Sequence, residues 1–154
     1  MNILFLCTGN SCRSQMAEGW AKNLKREVFR AYSAGVETHG LNERAVKVMK
    51  EAGVDISGNS SKLVSDLPAD LEFDYVVTVC GNAKETCPFF PAKSKIVHVG
   101  FDDPPSLTQG MESEEDILNV YRRVRDEIRE FILTLPESLE NSGAARRTKQ
   151  NPKV

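Results

Sequence analysis

The chain has 154 residues, of which 40% are hydrophobic, so it is long enough for one domain with a buried core. Charged residues make up 27% and aromatic residues 7%, a composition typical of globular proteins and not of disordered or fibrous ones. The 20 basic and 22 acidic residues give a net charge of −2, which argues against a nucleic-acid partner.

The apolar residues near the N-terminus form only a short run, residues 3–7. This run is far below the roughly 20 residues that span a bilayer. The first basic residue is Arg13, so the chain begins unlike a signal peptide. We therefore expect a cytoplasmic protein with no membrane partner. In that compartment, Cys7, Cys12, Cys80 and Cys87 are more typical of catalysis, redox chemistry or metal binding than of structural disulfides.

Predicted strands and helices alternate along the chain. The strands are Asn2–Cys7, Val28–Ala34, Tyr75–Val79 and Lys95–Val99, each an apolar or β-branched run. Three segments have the 3.6-residue period of amphipathic helices. The first has Ser14 as its expected N-cap and reaches Leu24, the second lies between Asn42 as N-cap and Gly53, and the third runs from Ile117 to Leu135 before Pro136.

This alternation predicts parallel strands joined by right-handed crossovers. The expected fold is a three-layer α/β sandwich, a four-stranded parallel sheet with helices on both faces. We expect a single domain over residues 1–136, and a flexible tail over 137–154, where the apolar periodicity is lost. Ligands in such sheets bind at the carboxyl ends of the strands, where Cys7, Cys80 and Asp103 are all expected.

The loop after the first strand has the composition of an oxyanion-binding site. It leaves a strand, enters a helix, and consists of Thr8, Gly9, Asn10, Ser11, Cys12, Arg13 and Ser14. Its backbone N–H groups and the helix N-terminus favour an anion, and Arg13 adds a bidentate donor. The same field stabilises a Cys7 thiolate, which is a nucleophile. The alternative is a buried cysteine and an arginine in a surface salt bridge.

Three further expectations concern this loop. Asn10 is suited to a left-handed backbone position. Ser14 is placed to donate a hydrogen bond to the Cys7 sulfur as well as to cap the helix. Cys12 is expected to be a loop residue without a catalytic role.

Cys80 and Cys87 are seven residues apart, which in a helix is a rise of about 10.5 Å. A disulfide needs Cα atoms roughly 4.4–6.8 Å apart, so a bond between them requires an intervening helix to unwind. Gly81 and Pro88 flank a segment too short to be stable alone, which makes it a candidate redox switch. A zinc site is a weaker alternative, because His98 is the only imidazole nearby, and two buried structural cysteines are another.

Asp102 and Asp103 supply the candidate general acid. We favour Asp103, directly before Pro104, although an aspartate that only initiates a turn is the alternative. The sequence alone indicates no catalytic base in His39 or His98, and we expect both to be ordinary surface or sheet histidines.

Together these residues resemble the thioredoxin-coupled arsenate reductases built on the low-molecular-weight protein tyrosine phosphatase fold. The resemblance covers residues 2–135. It rests on residues 6–14, on the segment from Val79 through Cys87 to Pro88, and on Gly100 to Pro104.

The resemblance implies a three-cysteine relay that reduces arsenate to arsenite, as in arsenic detoxification. The Cys7 thiolate attacks arsenate with help from Arg13 and Asp103. Cys80 then forms a disulfide with Cys7, Cys87 converts it to Cys80–Cys87, and reduced thioredoxin recycles that bond. Phosphate and sulfate act as substrate analogues.

No bound cofactor or metal is expected, and a monomer is the default. Some family members bind potassium through residues matching Asn10, Glu18 and Ser33, plus a carboxylate where this chain has Lys62. We expect the Lys62 ammonium to take the cation's place and remove any potassium dependence.

Two other functions remain open. A low-molecular-weight protein tyrosine phosphatase needs only Cys7, Arg13 and Asp103, so weak phosphatase activity is expected even in a reductase. Tyrosines flanking a phosphotyrosine pocket are typical of such phosphatases, whereas Pro104 and Pro105 follow Asp103 here. A redox-sensing binding protein is the third reading, but a sensor has no need of an acid.

Overall fold

A computed structural model of the chain describes residues 1–79 and 94–140. The strands are β1 (Asn2–Cys7), β2 (Arg30–Gly35), β3 (Tyr75–Thr78) and β4 (Lys95–His98). The helices are α1 (Arg13–Leu24), α2 (Glu43–Glu51), α3 (Pro104–Leu107) and α4 (Glu114–Leu133), with one 3-10 turn at Val64–Asp66.

The four strands form one parallel sheet in the order β2-β1-β3-β4. Successive side chains of a strand point to opposite faces of the sheet. Ile3, Leu4, Phe5 and Leu6 of β1 are all fully buried, so both faces of the sheet are covered at its centre. The predicted fold class, an α/β sandwich with a four-stranded parallel sheet, is confirmed.

Helix α4 packs against α1 and α2 through the apolar stripe that its periodicity predicts. Its N-terminus is capped by Ser113, whose hydroxyl accepts from the Asp116 N–H at 3.3 Å. The Trp20 indole N–H donates to the Arg125 carbonyl at 3.2 Å and fixes α1 against α4. The buried residues of α4 are Ile117, Leu118, Tyr121, Val124, Ile128 and Ile132.

The predictions for two helix starts have different outcomes. Asn42 is the N-cap of α2, and its Oδ1 accepts from the Ala45 N–H at 2.9 Å, as predicted. Ser14 is not the N-cap of α1: Cys12 holds that position, and Ser14 is the second residue of the helix. The loop needs the Ser14 hydroxyl inside the site, where it contacts the Cys7 sulfur.

The packed domain extends beyond the predicted boundary at residue 136. Residues 137–140 are helical, and Leu139 is fully buried in the core. The prediction placed this segment in the tail because four residues are too few to show a helical period. Residues 141–154 of the predicted tail lie outside the described residues.

Within residues 1–79 and 94–140, no helix is both long enough and apolar enough to cross a membrane.

Leu139→Ala should lower the free energy of unfolding by about 2–5 kcal/mol, because it leaves a cavity in the core. Leu133→Ala is the matched control: Leu133 is 41% exposed, so its truncation should cost at most about 0.5 kcal/mol. Urea denaturation of both variants measures the difference. Equal midpoints would place the domain boundary back at residue 136.

Candidate active site

The oxyanion loop occupies the carboxyl end of the central strand. Strand β1 ends at Cys7 and α1 begins at Arg13, so residues 8–12 form the whole connection. Because β1 lies between β2 and β3, this end of the sheet is where the strand order changes direction, the usual ligand position in such folds. The Ser61 hydroxyl donates to the Gly9 carbonyl at 2.9 Å and anchors the loop from outside.

Asn10 has a left-handed backbone, with φ of 48°, as the sequence predicts. Its side chain is fully buried, and its amide nitrogen donates to the hydroxyls of Ser14 and Ser33 at 2.9 and 3.0 Å. Its Oδ1 accepts from the Gln15 amide at 3.0 Å and from the Lys62 backbone N–H at 2.9 Å. These bonds offset the cost of the left-handed conformation and fix the loop to the surrounding elements.

The Cys7 sulfur lies 2.9 Å from the Ser14 hydroxyl oxygen, in the position that the sequence predicts for a hydrogen bond. Cys7 is 3% exposed and sits next to the N-terminus of α1. A hydroxyl donor and a helix N-terminus both stabilise a thiolate relative to a thiol.

Arg13 joins the loop to the segment that follows β4. One guanidinium nitrogen donates to the Phe101 carbonyl at 2.9 Å, and the other terminal nitrogen lies 3.3 Å from Asp103 Oδ1. The Arg13 side chain is mostly buried, so both contacts restrict the direction of its remaining donors.

The two neighbouring aspartates have different surroundings. Asp103 faces Arg13, and its Oδ2 accepts from the Ser106 hydroxyl at 2.9 Å. Asp102 lies 3.1 Å from Arg123 on α4, with its side chain 60% exposed. Only Asp103 of the two borders the pocket at the loop.

Cys7, Arg13 and Asp103 line one pocket of about 340 Å³. The structure therefore brings together the predicted nucleophile, the predicted oxyanion ligand and the predicted acid. Of the loop, Thr8, Gly9, Ser11 and Cys12 line the same pocket, whereas Asn10 and Ser14 support it from beneath. Cys80 and Cys87 lie outside the described residues.

Cys12 borders the pocket but is only 4% exposed. Burial raises the pKa of its thiol far above the ordinary value; Asp103 raises it further, and Arg13 opposes both effects. A thiol held neutral in this way is a poor nucleophile, which agrees with the non-catalytic role expected for Cys12.

The ammonium beside Glu18 is that of Lys22, not that of Lys62 as expected. Lys22 lies one turn along α1 and contacts Glu18 Oε2 at 2.6 Å. The Lys62 ammonium donates to the Ser60 carbonyl at 3.1 Å instead. The other Glu18 oxygen accepts from the Ser33 hydroxyl.

These contacts engage oxygen atoms that the resemblance suggests for potassium. The Glu18 carboxylate and the Asn10 side-chain Oδ1 already accept from N–H, O–H or ammonium donors of the chain. In this structure the Lys22 ammonium is therefore the cation beside Glu18. Elsewhere in the described part of the chain, no three His, Cys, Asp or Glu side chains cluster as metal ligands do.

Sequence reasoning missed three residues that line the pocket: His39, Asn42 and Pro105. Asn42 was predicted only as a helix cap, and its amide also donates to the Tyr121 hydroxyl at 3.2 Å. His39 was predicted only as a surface or sheet histidine, but its Nε2 lies 2.8 Å from Glu37 Oε1. The pair Glu37 and His39, two residues apart after a strand, was the available signal.

The family model for the low molecular weight phosphotyrosine protein phosphatases matches residues 2–145. The chain belongs to this family. An arsenate reductase of Bacillus subtilis (strain 168) is 54% identical over 127 residues, covering 82% of this chain and 88% of the relative.

Two solved structures resemble the fold equally well. One is described as an arsenate reductase in the phosphate binding state, with a TM-score of 0.70, 30% identity, and coverage of 92% of this chain and 98% of that one. The other is a low molecular weight protein tyrosine phosphatase from T. tengcongensis, with a TM-score of 0.69, 30% identity, and coverage of 90% and 99%. The chain is therefore similar to solved structures described as an arsenate reductase and as a tyrosine phosphatase.

Lys22→Gln should lower the free energy of unfolding by about 1–3 kcal/mol, because it leaves the buried Glu18 carboxylate without its ammonium. Lys47→Gln, at an exposed lysine on α2, is the control and should change the free energy of unfolding by at most about 0.5 kcal/mol.

The parent protein should unfold at the same urea concentration in potassium and in sodium chloride. Clear stabilisation by potassium over sodium would show that the lysine does not replace the ion.

Proposed function

We propose that this chain reduces arsenate to arsenite with electrons from thioredoxin. The observation that carries the proposal is the single pocket lined by Cys7, Arg13 and Asp103, at the end of a strand and the start of a helix. The 54% identity to an arsenate reductase supports arsenate as the substrate. Thr8 through Ser14 form the loop that holds the oxyanion.

The first step uses the described residues. The Cys7 thiolate attacks arsenic, and one arsenate oxygen leaves as water after Asp103 donates a proton. Arg13 is already oriented by Phe101 and Asp103, so its charge opposes the charge that develops on the oxyanion. The product is an arsenic(V) ester of the Cys7 sulfur.

The next steps move two electrons. The Cys80 thiolate attacks the Cys7 sulfur, the sulfur–arsenic bond breaks, and its electron pair leaves with arsenic as arsenite. Cys87 then attacks Cys80, which releases the Cys7 thiolate and forms the Cys80–Cys87 disulfide. The dithiol of thioredoxin reduces that disulfide and becomes oxidised itself. The seven-residue spacing and the flanking glycine and proline support a segment able to rearrange for these exchanges.

Several finer points belong to the same proposal. The reaction needs no bound cofactor, since thioredoxin supplies the electrons. We expect the protein to work as a monomer in the cytoplasm, where thioredoxin is reduced, and to contribute to arsenic detoxification.

A low-molecular-weight protein tyrosine phosphatase is the second candidate function. The similarity to the T. tengcongensis phosphatase favours it, because Cys7, Arg13 and Asp103 are sufficient for phosphate-ester hydrolysis. The two functions differ in whether Cys80 and Cys87 are needed.

Cys80→Ser and Cys87→Ser should each abolish arsenate-dependent NADPH oxidation in the presence of thioredoxin and its reductase. Both variants should keep hydrolysis of p-nitrophenyl phosphate, whereas Cys7→Ser should lose both activities, because Cys7 is the one cysteine of the three that takes part in both proposed reactions. Unchanged reductase turnover in Cys80→Ser or Cys87→Ser would reject the relay. Phosphatase activity that survives Cys7→Ser would reject the nucleophile.

Asp103→Asn should lower kcat for arsenate reduction by about 10²–10⁴-fold, the usual contribution of a positioned general acid. Asp102→Asn removes an equal charge one residue away. Its effect should stay within about fivefold, because an exposed ion pair contributes at most about 1 kcal/mol. Steady-state kinetics of the two variants decide the assignment, and equal losses would refute it.

A further inference from the structure

His39 lies on the wall of the oxyanion pocket, although nothing in the reaction described above uses it. It follows β2 in a segment that runs along the loop. The Glu37 N–H donates to the Thr8 carbonyl at 2.9 Å, and the His39 N–H donates to the Gly9 carbonyl at 3.0 Å. These backbone bonds fix the position of the imidazole relative to the loop.

The imidazole of His39 stands directly against Gly9. A Cβ atom built on Gly9 would lie 2.2 Å from His39 Nδ1 and 2.5 Å from His39 Cγ. Gly9 does not have the left-handed φ that favours glycine, so the backbone itself accepts a side chain at this position. What excludes one is the imidazole. Gly35 differs, because its Cβ would meet backbone atoms, 2.6 Å from the Glu37 carbonyl oxygen.

Glu37 sets the orientation of the imidazole. Its Oε1 lies 2.8 Å from His39 Nε2, and a carboxylate only accepts, so Nε2 carries the hydrogen. Proton uptake therefore occurs at Nδ1, the ring atom beside Gly9. The protonated ring bears a positive charge at the wall of the pocket.

Protonation of His39 would change the net charge of the side chains that line the pocket. Arg13 contributes one positive charge, which Asp103 balances, and a Cys7 thiolate adds a negative one. Burial raises the pKa of Cys12, so that thiol stays neutral. Within the described residues that line the pocket, His39 is the remaining side chain that can become cationic.

We propose that the imidazole of His39, oriented by Glu37, favours binding of a dianionic tetrahedral oxyanion in this pocket when it is protonated. The inference deepens the proposed function, because it assigns to that same pocket a determinant of substrate charge. Gly9 is part of this device, since it leaves room for the ring.

Sulfate binding tests the proposal without turnover. Sulfate stays dianionic from about pH 5.5 to 8.5, the range in which imidazole changes charge, so any pH dependence comes from the protein. The measurements use isothermal titration calorimetry in a Cys7→Ser background, which removes thiolate titration. His39→Gln and Glu37→Gln are compared with the parent. His98→Gln is the matched control, because His98 bonds to Thr78 and lies outside the pocket lining.

The parent and the His98→Gln protein should bind sulfate about three- to tenfold more tightly at the low end of this range, a difference typical of one partly exposed charge. In His39→Gln the pH dependence should fall below about twofold, and in Glu37→Gln it should be reduced. A His39→Gln protein that keeps the parent's affinity and pH dependence would overturn the proposal.

The Gly9 contact gives an independent check. Gly9→Ala should weaken sulfate binding in the presence of His39, because the methyl group displaces the imidazole. It should weaken binding less in a His39→Ala background, where the space is open. Equal losses in both backgrounds would show that the ring is not what Gly9 accommodates, and would count against the proposal.

The outcome is separable from that of the proposed function. In the enzyme with Cys7 intact, His39→Gln should raise KM for arsenate while leaving kcat nearly unchanged. If arsenate causes no NADPH oxidation but the sulfate results hold, the proposed reduction fails and the role of His39 in oxyanion binding stands. If reduction is observed and the sulfate affinity is insensitive to His39, the role of His39 fails alone.

Discussion

The buried amide of Asn10 holds the site together. A left-handed backbone costs an ordinary residue about 1–2 kcal/mol, and here hydrogen bonds to α1, β2 and the Lys62 backbone offset that cost. The loop is therefore fixed by contacts to the packed core and not by its own short sequence. The consequence is that Cys7 and the start of α1 keep their relative positions before any ligand arrives, which is the preorganisation that oxyanion stabilisation requires.

Arg13 connects the loop to the opposite side of the pocket. Its contacts to Phe101 and Asp103 tie the segment after β4 to the loop after β1, although the two are about 90 residues apart. A guanidinium has five N–H donors, so these two contacts orient the group without using all of its hydrogen-bonding capacity. The same carboxylate that orients Arg13 is the proposed acid. Asp103 thus orients Arg13 in addition to its proposed role, whereas Asp102, one residue away, contacts Arg123 on α4 instead.

The elements that the sequence predicts best are those with long or strongly apolar patterns. The four strands, α4 and the Asn42 cap follow from periodicity and local hydrogen-bonding chemistry, because both act over a few residues. Predictions fail where a contact through space decides. The sequence predicts that Ser14 caps α1 and also contacts the Cys7 sulfur; the contact is found, but Cys12 holds the N-cap position. Leu139 is buried, but it lies in a helical segment too short to show a hydrophobic period in the sequence.

The same limit applies within the site. Cys7, Arg13 and Asp103 are predictable because strand ends of a parallel sheet converge, and their neighbours in the sequence indicate the loop. The partner of Glu18 is Lys22, four residues along α1, and not Lys62, because the Lys62 ammonium bonds to the Ser60 carbonyl. His39 was missed because its contact with Gly9 joins two loops. A single sequence does not indicate that a glycine such as Gly9 is needed to make room for a neighbouring side chain and not for its backbone conformation.

The two proposed functions use the same pocket. In both, Cys7 attacks a tetrahedral oxyanion with support from Arg13 and an acid, whether the central atom is phosphorus or arsenic. The difference lies in the second step. Phosphorus(V) in a thiophosphate ester does not take up the electron pair of the sulfur bond, so water must attack phosphorus. Arsenic(V) accepts that pair, so a thiolate attacking Cys7 releases arsenite. In the proposed reaction, selectivity for reduction therefore depends on which nucleophile reaches the Cys7 adduct first. Attack by the Cys80 thiol, and not by water, turns oxyanion binding into electron transfer.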